Sequence, residues 1–422
     1  MTRHLAPLLL LLPLAAAPAL AAPEEVPLAA EDAAGQVPLA EIQRYVSVYR
    51  AIQEAYVEPL DDEQLMKAAL RGLLSDLDPH SAYLEAEEAE ALREETEGAY
   101  SGIGVEIEQR PDRSILVVAP IDGTPAQRAG LRAGDVIIAI DGQALAASAD
   151  QTSLQLRGEP GTTVTLTVSR PGETELREFE IRRERIEITS VTGRLLEPGY
   201  GYLRISAFQE DTALQLHRQL ARLRRESGGP LAGLVLDLRS NPGGLLNAAV
   251  EAADAFLEEG LIVSTRGRLS HVNANYHAKA GDLLAGAPMV VLMDAGTASA
   301  AEVMAAALRD HERALLMGSR TFGKGSVQTV VPLENGDSVK LTTARYYSPS
   351  GDSIQASGLQ PDVVLKGRAG RGLREQDLPR HLRGDSEVAD GYARGEVIEG
   401  DEAISLALDR LKTGRAVARR GG

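Results

Sequence analysis

The spacing of apolar residues divides the chain into stretches of different character. Between residues 40 and 75 apolar side chains recur every three or four positions: Ile42, Tyr45, Val46, Tyr49 and Ile52, then Leu65, Met66, Ala69, Leu70 and Leu73. That spacing lays an apolar stripe along a helix, so two amphipathic helices are expected. Asp78-Pro79 interrupts the pattern, and LEAEEAEAL beyond it reads as an acidic helix. His80, in this D-P-H turn, reads as a structural histidine. From Gly98 the pattern changes to β-branched runs broken by glycine. SGIGVEIEQ, SILVVAP, DVIIAIDG and TTVTLTVSR are expected strands, with PAQRAGLR a short helix among them.

From about Ile186 strands alternate with helices. LAGLVLDL leads through RSNPGG into the helix LLNAAVEAADAFL, and APMVVLMD leads through AGTASA into AEVMAAALRDHERA. Such alternation implies a largely parallel sheet covered by helices. Sheets of this kind place function beyond the C-terminal ends of their strands, where both glycine-bearing loops fall. SVQTVVPLENGDSVKLTT then reads as two strands joined at Asn335-Gly336, the signature of a two-residue hairpin. The remainder from about Lys366 is charged, with a closing helix at 402–411.

Composition narrows the picture. The 422 residues suffice for two or three domains, and 44% hydrophobic with 25% charged residues is ordinary for a globular protein. A net charge of −17 disfavours nucleic acid and anionic membrane as partners. Much of it sits between Glu24 and Glu97, which hold 19 acidic and 5 basic residues. The chain has no cysteine, which excludes disulfides, thiolate nucleophiles and cysteine metal sites. MTRHLAPLLLLLPLAAAPALAAPEE places Arg3 before an apolar run and a small-x-small site at Ala19-Leu20-Ala21. It reads as a signal peptide over 1–21, followed by a linker over 22–39. An uncleaved anchor is the alternative, although Pro7, Pro13 and Pro18 make a poor spanning helix. The expected protein is exported, periplasmic and soluble after processing.

The stretch GSRTFGKGS, Gly318 to Ser326, nearly matches a phosphate-binding loop. Gly325 stands where the Mg²⁺-binding hydroxyl belongs, and β-branched residues follow where a helix should begin. A nucleotide site is therefore not expected. A lysine in a tight, partly dry glycine loop has a lowered pKa, and a neutral amine can act as a base toward a serine. Ser299 in DAGTASAAE offers that serine, just past a strand end at the start of a helix. Taken singly, Ser299 with Glu302 reads as a capping box and Lys324 as a surface lysine. Asn241-Pro242-Gly243-Gly244 adds backbone N–H groups at the end of a neighbouring strand. Gln328 lies four residues past Lys324, roughly 13 Å away if that segment is extended, so the loop must curl for them to meet. Asp310 sits about 16 Å along the helix from Ser299 and reads as structural support. There is no G-x-S-x-G and no telling histidine.

Together these motifs resemble the carboxyl-terminal processing (tail-specific) serine peptidases. The likeness covers nearly the whole chain beyond the signal: YVEPLDDEQLMKAALRGLLSDLDPHSAYL, GIGVEI, LDLRSNPGG, GTASAAE, TFGKGSVQT and SIQASGLQPDVV. Many members read S-A-S-A-S-E where this chain has Ala301, leaving the nucleophile position intact. The resemblance implies a multidomain α/β protein: an N-terminal helical region over 40–97, a β-rich α+β PDZ domain over 98–185 and a crotonase/ClpP-like peptidase core over 186–365, with a tail over 366–422. It implies a Ser299–Lys324 dyad, Gln328 orienting the lysine, and an oxyanion hole at the backbone N–H of Ala300 and of Gly243 or Gly244. In the PDZ domain Ser101, Gly102, Ile103, Gly104 and Val105 would receive a terminal carboxylate, with GVEIE as the edge for an added strand. Arg157 matches a position linked to PDZ-dependent activation. No metal or cofactor is required. The implied partners are proteins with accessible C-terminal tails, an adaptor, and further copies of the chain. A non-catalytic PDZ adaptor of the same shape is the alternative.

Overall fold

The computed structural model describes residues 37–110, 114–145, 149–366, 372–385, 396–399 and 402–413. The expected signal peptide and nearly all of the linker lie outside them. The chain divides into two compact units, one up to Lys67 and one from Ala68 onward. In the first, the expected helix forms at Leu39–Ala55, and the second begins at Asp62 and runs to Ser75. The Tyr49 hydroxyl donates to Asp62 Oδ1 at 2.9 Å. No residue of Leu39–Ala55 is buried, and Leu39, Ile42, Tyr45 and Val46 of its apolar stripe are exposed.

In the second unit the acidic helix forms at Ala86–Glu97 and ends on Gly98 in the left-handed conformation, with φ 71°. The β-rich domain follows. SGIGVEIEQ is two strands rather than the one its pattern suggests. Ala99–Gly102 pairs with Glu184–Glu187, and Val105–Gln109 forms the edge of a six-stranded sheet. Between them Gly104 turns the chain at φ 75°, where an added Cβ would lie 2.4 Å from Thr124 Cβ. A helix at Ala149–Leu156, which the sequence pattern did not reveal, packs beside that edge strand. ADQTSLQL carries its two leucines two positions apart, not at helical spacing.

The α/β portion is a seven-stranded sheet. Its order is Val191–Glu197, Tyr200–Ile205, Gly233–Asp237, Met289–Met293, Leu315–Gly318, Val363–Lys366 and Glu396–Glu399. Only the first pairing is antiparallel. GLVLD and MVVLM are buried at every position, because helices cover a parallel sheet on both faces. Leu234, Val235 and Leu236 are wholly buried, each contributing about 1.5–3 kcal/mol of apolar transfer. Thr212–Glu226, Leu246–Asp254 and Ala300–Asp310 pack on one face and Ala403–Lys412 on the other. The alanines of AAEVMAAAL let Ala300–Leu308 sit buried on all sides.

A second sheet carries the hairpin Ser326–Pro332 and Ser338–Tyr347, with Ala82–Leu84 and Leu261–Gly267 on the far edge of the long strand. Its turn is five residues, 333–337, not two. A two-residue type I′ turn needs positive φ at both Asn335 and Gly336, and only Gly336 has it, at 89°. The Asn335 amide instead donates to Asp337 Oδ2 at 2.6 Å.

Candidate active site

Gly233–Asp237 and Met289–Met293 are neighbours in the sheet, so the loops beyond their C-terminal ends lie side by side. They are bound together: Ala298 N–H donates to the Asn241 carbonyl (2.9 Å), Thr297 Oγ1 to the Leu238 carbonyl (2.8 Å) and Ser240 N–H to Asp294 Oδ1 (2.8 Å). Ser299 follows at φ 56°, ψ −121°, a conformation costing a non-glycine residue about 1–3 kcal/mol. The cross-links hold it there, at the head of the helix Ala300–Asp310.

Glu302, which the sequence marks only as the end of a capping box, is wholly buried and does more than cap. Its Oε2 accepts the N–H of both Ser299 and Lys324, each at 2.9 Å. Its Oε1 accepts Gly323 N–H at 2.9 Å and the Thr321 hydroxyl. One carboxylate thus fastens the serine and the lysine loop to each other. Burial pushes the Glu302 carboxyl up to about 7, against the pull of these four donors.

The lysine loop is curled and closely packed. Gly323 has φ 98°, and a Cβ on Gly325 would lie 2.4 Å from the Gln355 nitrogen. Both glycines therefore permit contact with the 355–358 segment. The side chain of Lys324 is mostly buried. Its amine is pulled below the ordinary lysine range first by burial and then by Lys340, against the opposing charges of Glu375, Glu302 and Asp78. No acceptor meets the amine among the described residues. The Tyr346 hydroxyl donates to the Lys324 carbonyl and is within hydrogen-bonding reach of Ser299; burial raises that phenol far above its usual range. Nothing in the sequence singled out Tyr346. Gln328 lies in the strand leaving the loop, at a bulge, with its amide nitrogen donating to Ser326 Oγ (3.0 Å) and Thr342 Oγ1 (3.2 Å). Asp310 is bound at the far end of its helix by Arg309 and the Ser350 N–H.

Ser299, Ala300, Lys324, Gln328, Gly243 and Gly244 all line one cleft of about 900 Å³. The expected N–H donors divide unequally. The Gly243 N–H is spent on Asn241 Oδ1 at 2.9 Å, so this glycine is a spacer against Ser299, whose Cβ an added Gly243 Cβ would approach to 2.8 Å. The N–H groups of Gly244 and Ala300 meet no acceptor among the described residues. The strand Ser326–Pro332 also lines the cleft and, among the described residues, pairs only on its Ser338–Tyr347 side.

In the β-rich domain Ser101 and Gly102 belong to the strand pairing with Arg185 and Glu184. The N–H groups of Ile103 and Gly104 meet no acceptor among the described residues, while their carbonyls are held by Ala126 N–H (2.9 Å) and Ile121 N–H (3.0 Å). Val105 opens the strand at the edge of the sheet, which pairs with Ile115–Pro120. Arg157 stacks 5.3 Å from the Tyr100 ring centre and pairs with Glu94, on the helix whose Glu95 and Thr96 line the cleft.

The profile of peptidase family S41 matches residues 199–365, that of a PDZ domain 101–181, and that of the activating protease CtpB N-terminal domain 16–88. The chain is 41% identical over 360 residues to a carboxy-terminal-processing protease of Bartonella bacilliformis, covering 85% of this chain and 80% of that one. It is 34% identical to the carboxy-terminal processing protease CtpA of Bacillus subtilis, covering 75% and 67%. A solved photosystem II D1 C-terminal processing protease is 33% identical, covering 77% and 93%, with a TM-score of 0.44. The protein is accordingly a serine-type peptidase carrying a PDZ domain. It belongs to peptidase family S41, among the carboxy-terminal processing proteases.

Proposed function

We propose that the protein is an endopeptidase with a Ser299–Lys324 dyad, acting on exported proteins that its PDZ domain selects by their C-terminal tails. The observation that carries this reading is the sharing of Glu302 Oε2 by the Ser299 and Lys324 N–H groups at one cleft. Lys324, whose charged form burial disfavours, takes in its neutral form the proton of the Ser299 hydroxyl as Oγ attacks the scissile carbonyl. The N–H groups of Ala300 and Gly244 receive the developing oxyanion. Lys324 then passes the proton to the leaving amine, and water releases the acyl group by the same route. The substrate tail ends with its carboxylate on the Ile103 and Gly104 N–H groups and extends along Val105–Gln109. Arg157, tied to Glu94 on the helix that lines the cleft, couples the occupied PDZ domain to the cleft. The exposed stripe Leu39, Ile42, Tyr45 and Val46 suits an adaptor or a second copy of the chain.

The test is cleavage of an unfolded protein with a free C-terminal tail. Ser299→Ala and Lys324→Ala each lose cleavage while still binding a tail peptide. If the unaltered chain binds the peptide and cleaves nothing, the non-catalytic adaptor reading replaces this one.

A further inference from the structure

The lysine loop is also held from behind, by residues that do not line the cleft. Its Gly323 and Lys324 N–H groups go to Glu302, while that of Gly325 goes to the side-chain oxygen of Gln355 at 2.9 Å. Gln355 is wholly buried, and its amide nitrogen donates to Glu375 Oε1 at 2.9 Å and to the Leu382 carbonyl at 3.0 Å. A main-chain N–H only donates and a carbonyl only accepts, so these partners fit one orientation of the amide. Both acceptors belong to residues 372–385, part of the charged stretch in which the sequence pattern marked nothing but a closing helix.

Glu375 joins that segment to both loops of the site. It is wholly buried, and its own N–H donates to the Phe322 carbonyl at 3.1 Å. Phe322 N–H in turn donates to the Thr297 carbonyl at 3.0 Å, which ties the lysine loop to the serine loop. Glu375 Oε2 lies 2.7 Å from His80 Nε2, so the D-P-H turn closes the far side. The segment packs without clearance at each end. A Cβ on Gly384 would lie 2.1 Å from the Gln355 carbonyl oxygen, and one on Gly372 would lie 2.6 Å from Ala295 Cβ, in the loop that leads to Ser299.

We propose that residues 372–385 are a strap that positions the lysine loop, with Glu375 as the positioning residue that keeps Gln355 turned toward Gly325. The inference rests on the dyad reading above and adds residues to it. Neither Glu375 nor Gln355 touches the reacting atoms; they hold the backbone on which Lys324 stands. Removing the Glu375 carboxylate leaves a buried N–H of Gln355 without its acceptor, a cost the amide relieves by turning away from Gly325. Of the three loop N–H groups, only the two on Glu302 then stay held. Glu375→Gln retains an oxygen for Gln355 and turns its NH₂ to His80, whose ring nitrogen can accept it. That variant therefore keeps the strap while losing the charge.

The experiment compares Glu375→Ala, Glu375→Gln, Gln355→Leu and Arg380→Ala in the full chain, with thermal melting to confirm folding. Arg380 lies in the same segment but turns away from the loops, pairing with Asp76 at 2.6 Å and the Ser75 carbonyl at 3.0 Å. One measurement is kcat and KM on an unfolded protein. It is taken at the plateau of each variant's pH profile, because Glu375 bears by charge on the Lys324 amine together with Lys340, Glu302 and Asp78. The other is deuterium exchange at the Gly325 amide, followed by mass spectrometry of overlapping peptides and independent of turnover. Glu375→Ala and Gln355→Leu lower kcat roughly ten- to a hundredfold with KM little changed, and speed exchange at Gly325 at least about tenfold. Exchange in the strands Gly233–Asp237 and Met289–Met293 stays that of the unaltered chain. Glu375→Gln and Arg380→Ala leave both measurements within about threefold. Should Glu375→Ala not fold, Gln355→Leu carries the same comparison. Exchange at Gly325 unmoved in the folded variants, a glutamine variant as impaired as the alanine one, or faster exchange spread through the two central strands overturns the proposal. If the unaltered chain cleaves nothing, the dyad reading fails, while exchange at Gly325 still decides whether the strap holds the loop.

Discussion

Ile103 with Gly104 in the PDZ domain, and Ala300 with Gly244 beside Ser299, are two pairs of main-chain N–H groups that meet no acceptor among the described residues. Both are suited to negative oxygen, yet they are built differently. In the PDZ loop the unusual backbone falls on a glycine, Gly104 at φ 75°, and the bracing is through carbonyls, that of Ile103 held by Ala126 N–H (2.9 Å) and that of Gly104 by Ile121 N–H (3.0 Å) and Thr124 Oγ1 (2.9 Å). At the cleft the unusual backbone falls on Gly243 (φ 107°) and Gly244 (φ 126°) and also on a non-glycine residue, Ser299, and a buried carboxylate, Asn241 and three inter-loop hydrogen bonds hold these loops. A carboxylate that arrives fully formed tolerates some adjustment in its receptor. An oxyanion that exists only in passing requires donors already in place, which on the proposed mechanism accounts for the strain at Ser299.

The largest effect should come from removing the chemistry from only one of the two places. Ser299→Ala or Lys324→Ala should lower kcat at least about 10⁴-fold and leave tail-peptide affinity within a factor of two, measured by cleavage kinetics and calorimetry. Gly244→Ala comes next. Its Cβ would meet the Phe208 carbonyl at 2.1 Å, so the loop must shift, and kcat should fall roughly 10²–10³-fold with tail binding intact. Gly104→Ala should do the converse, weakening the tail peptide roughly ten- to a hundredfold while cleavage of a tail-independent short peptide persists. If either alanine abolished both binding and cleavage, the two places would not be separable.

The smallest effect concerns pH and stability. Lys324 has a lowered pKa in the folded chain, so below 10.5 the unfolded chain favours its charge more than the folded chain does. This group therefore costs stability at neutral pH, a cost that fades as pH rises to 10.5. Lys324→Met should be inactive yet melt higher at pH 7, with the difference shrinking toward pH 10.5. Glu302, raised to about 7, should add to the acid limb of kcat/KM, because its protonation weakens the bonds holding both loops.

How much of this could be read from the sequence depended on distance along the chain. Alternating β and α runs predicted strands over LAGLVLDL and APMVVLMD with functional loops beyond them, and the loops do adjoin. Ser299, Lys324 and Gln328 could be named because each sits in a distinctive local string. Tyr346, Thr342 and Asp78 could not, since they reach the site through strand register and a turn more than 200 residues away, and no local spacing encodes that. The fate of the Gly243 N–H was equally hidden, because Asn241 competes for it within the same loop. The helix at Ala149–Leu156 lacks an apolar stripe, and Asn335-Gly336 suggested a tighter turn than the chain makes.

The sharing of Glu302 has a consequence for anyone transplanting this chemistry. Residues 297–302 and 320–325 answer to one carboxylate, so they form a single module although the helix Ala300–Asp310 and the strand Leu315–Gly318 account for most of the chain between them. A chimera that exchanges one segment without the other inherits a carboxylate with the wrong set of donors. In a graft or a recombined library, the two segments should survive only when they travel together.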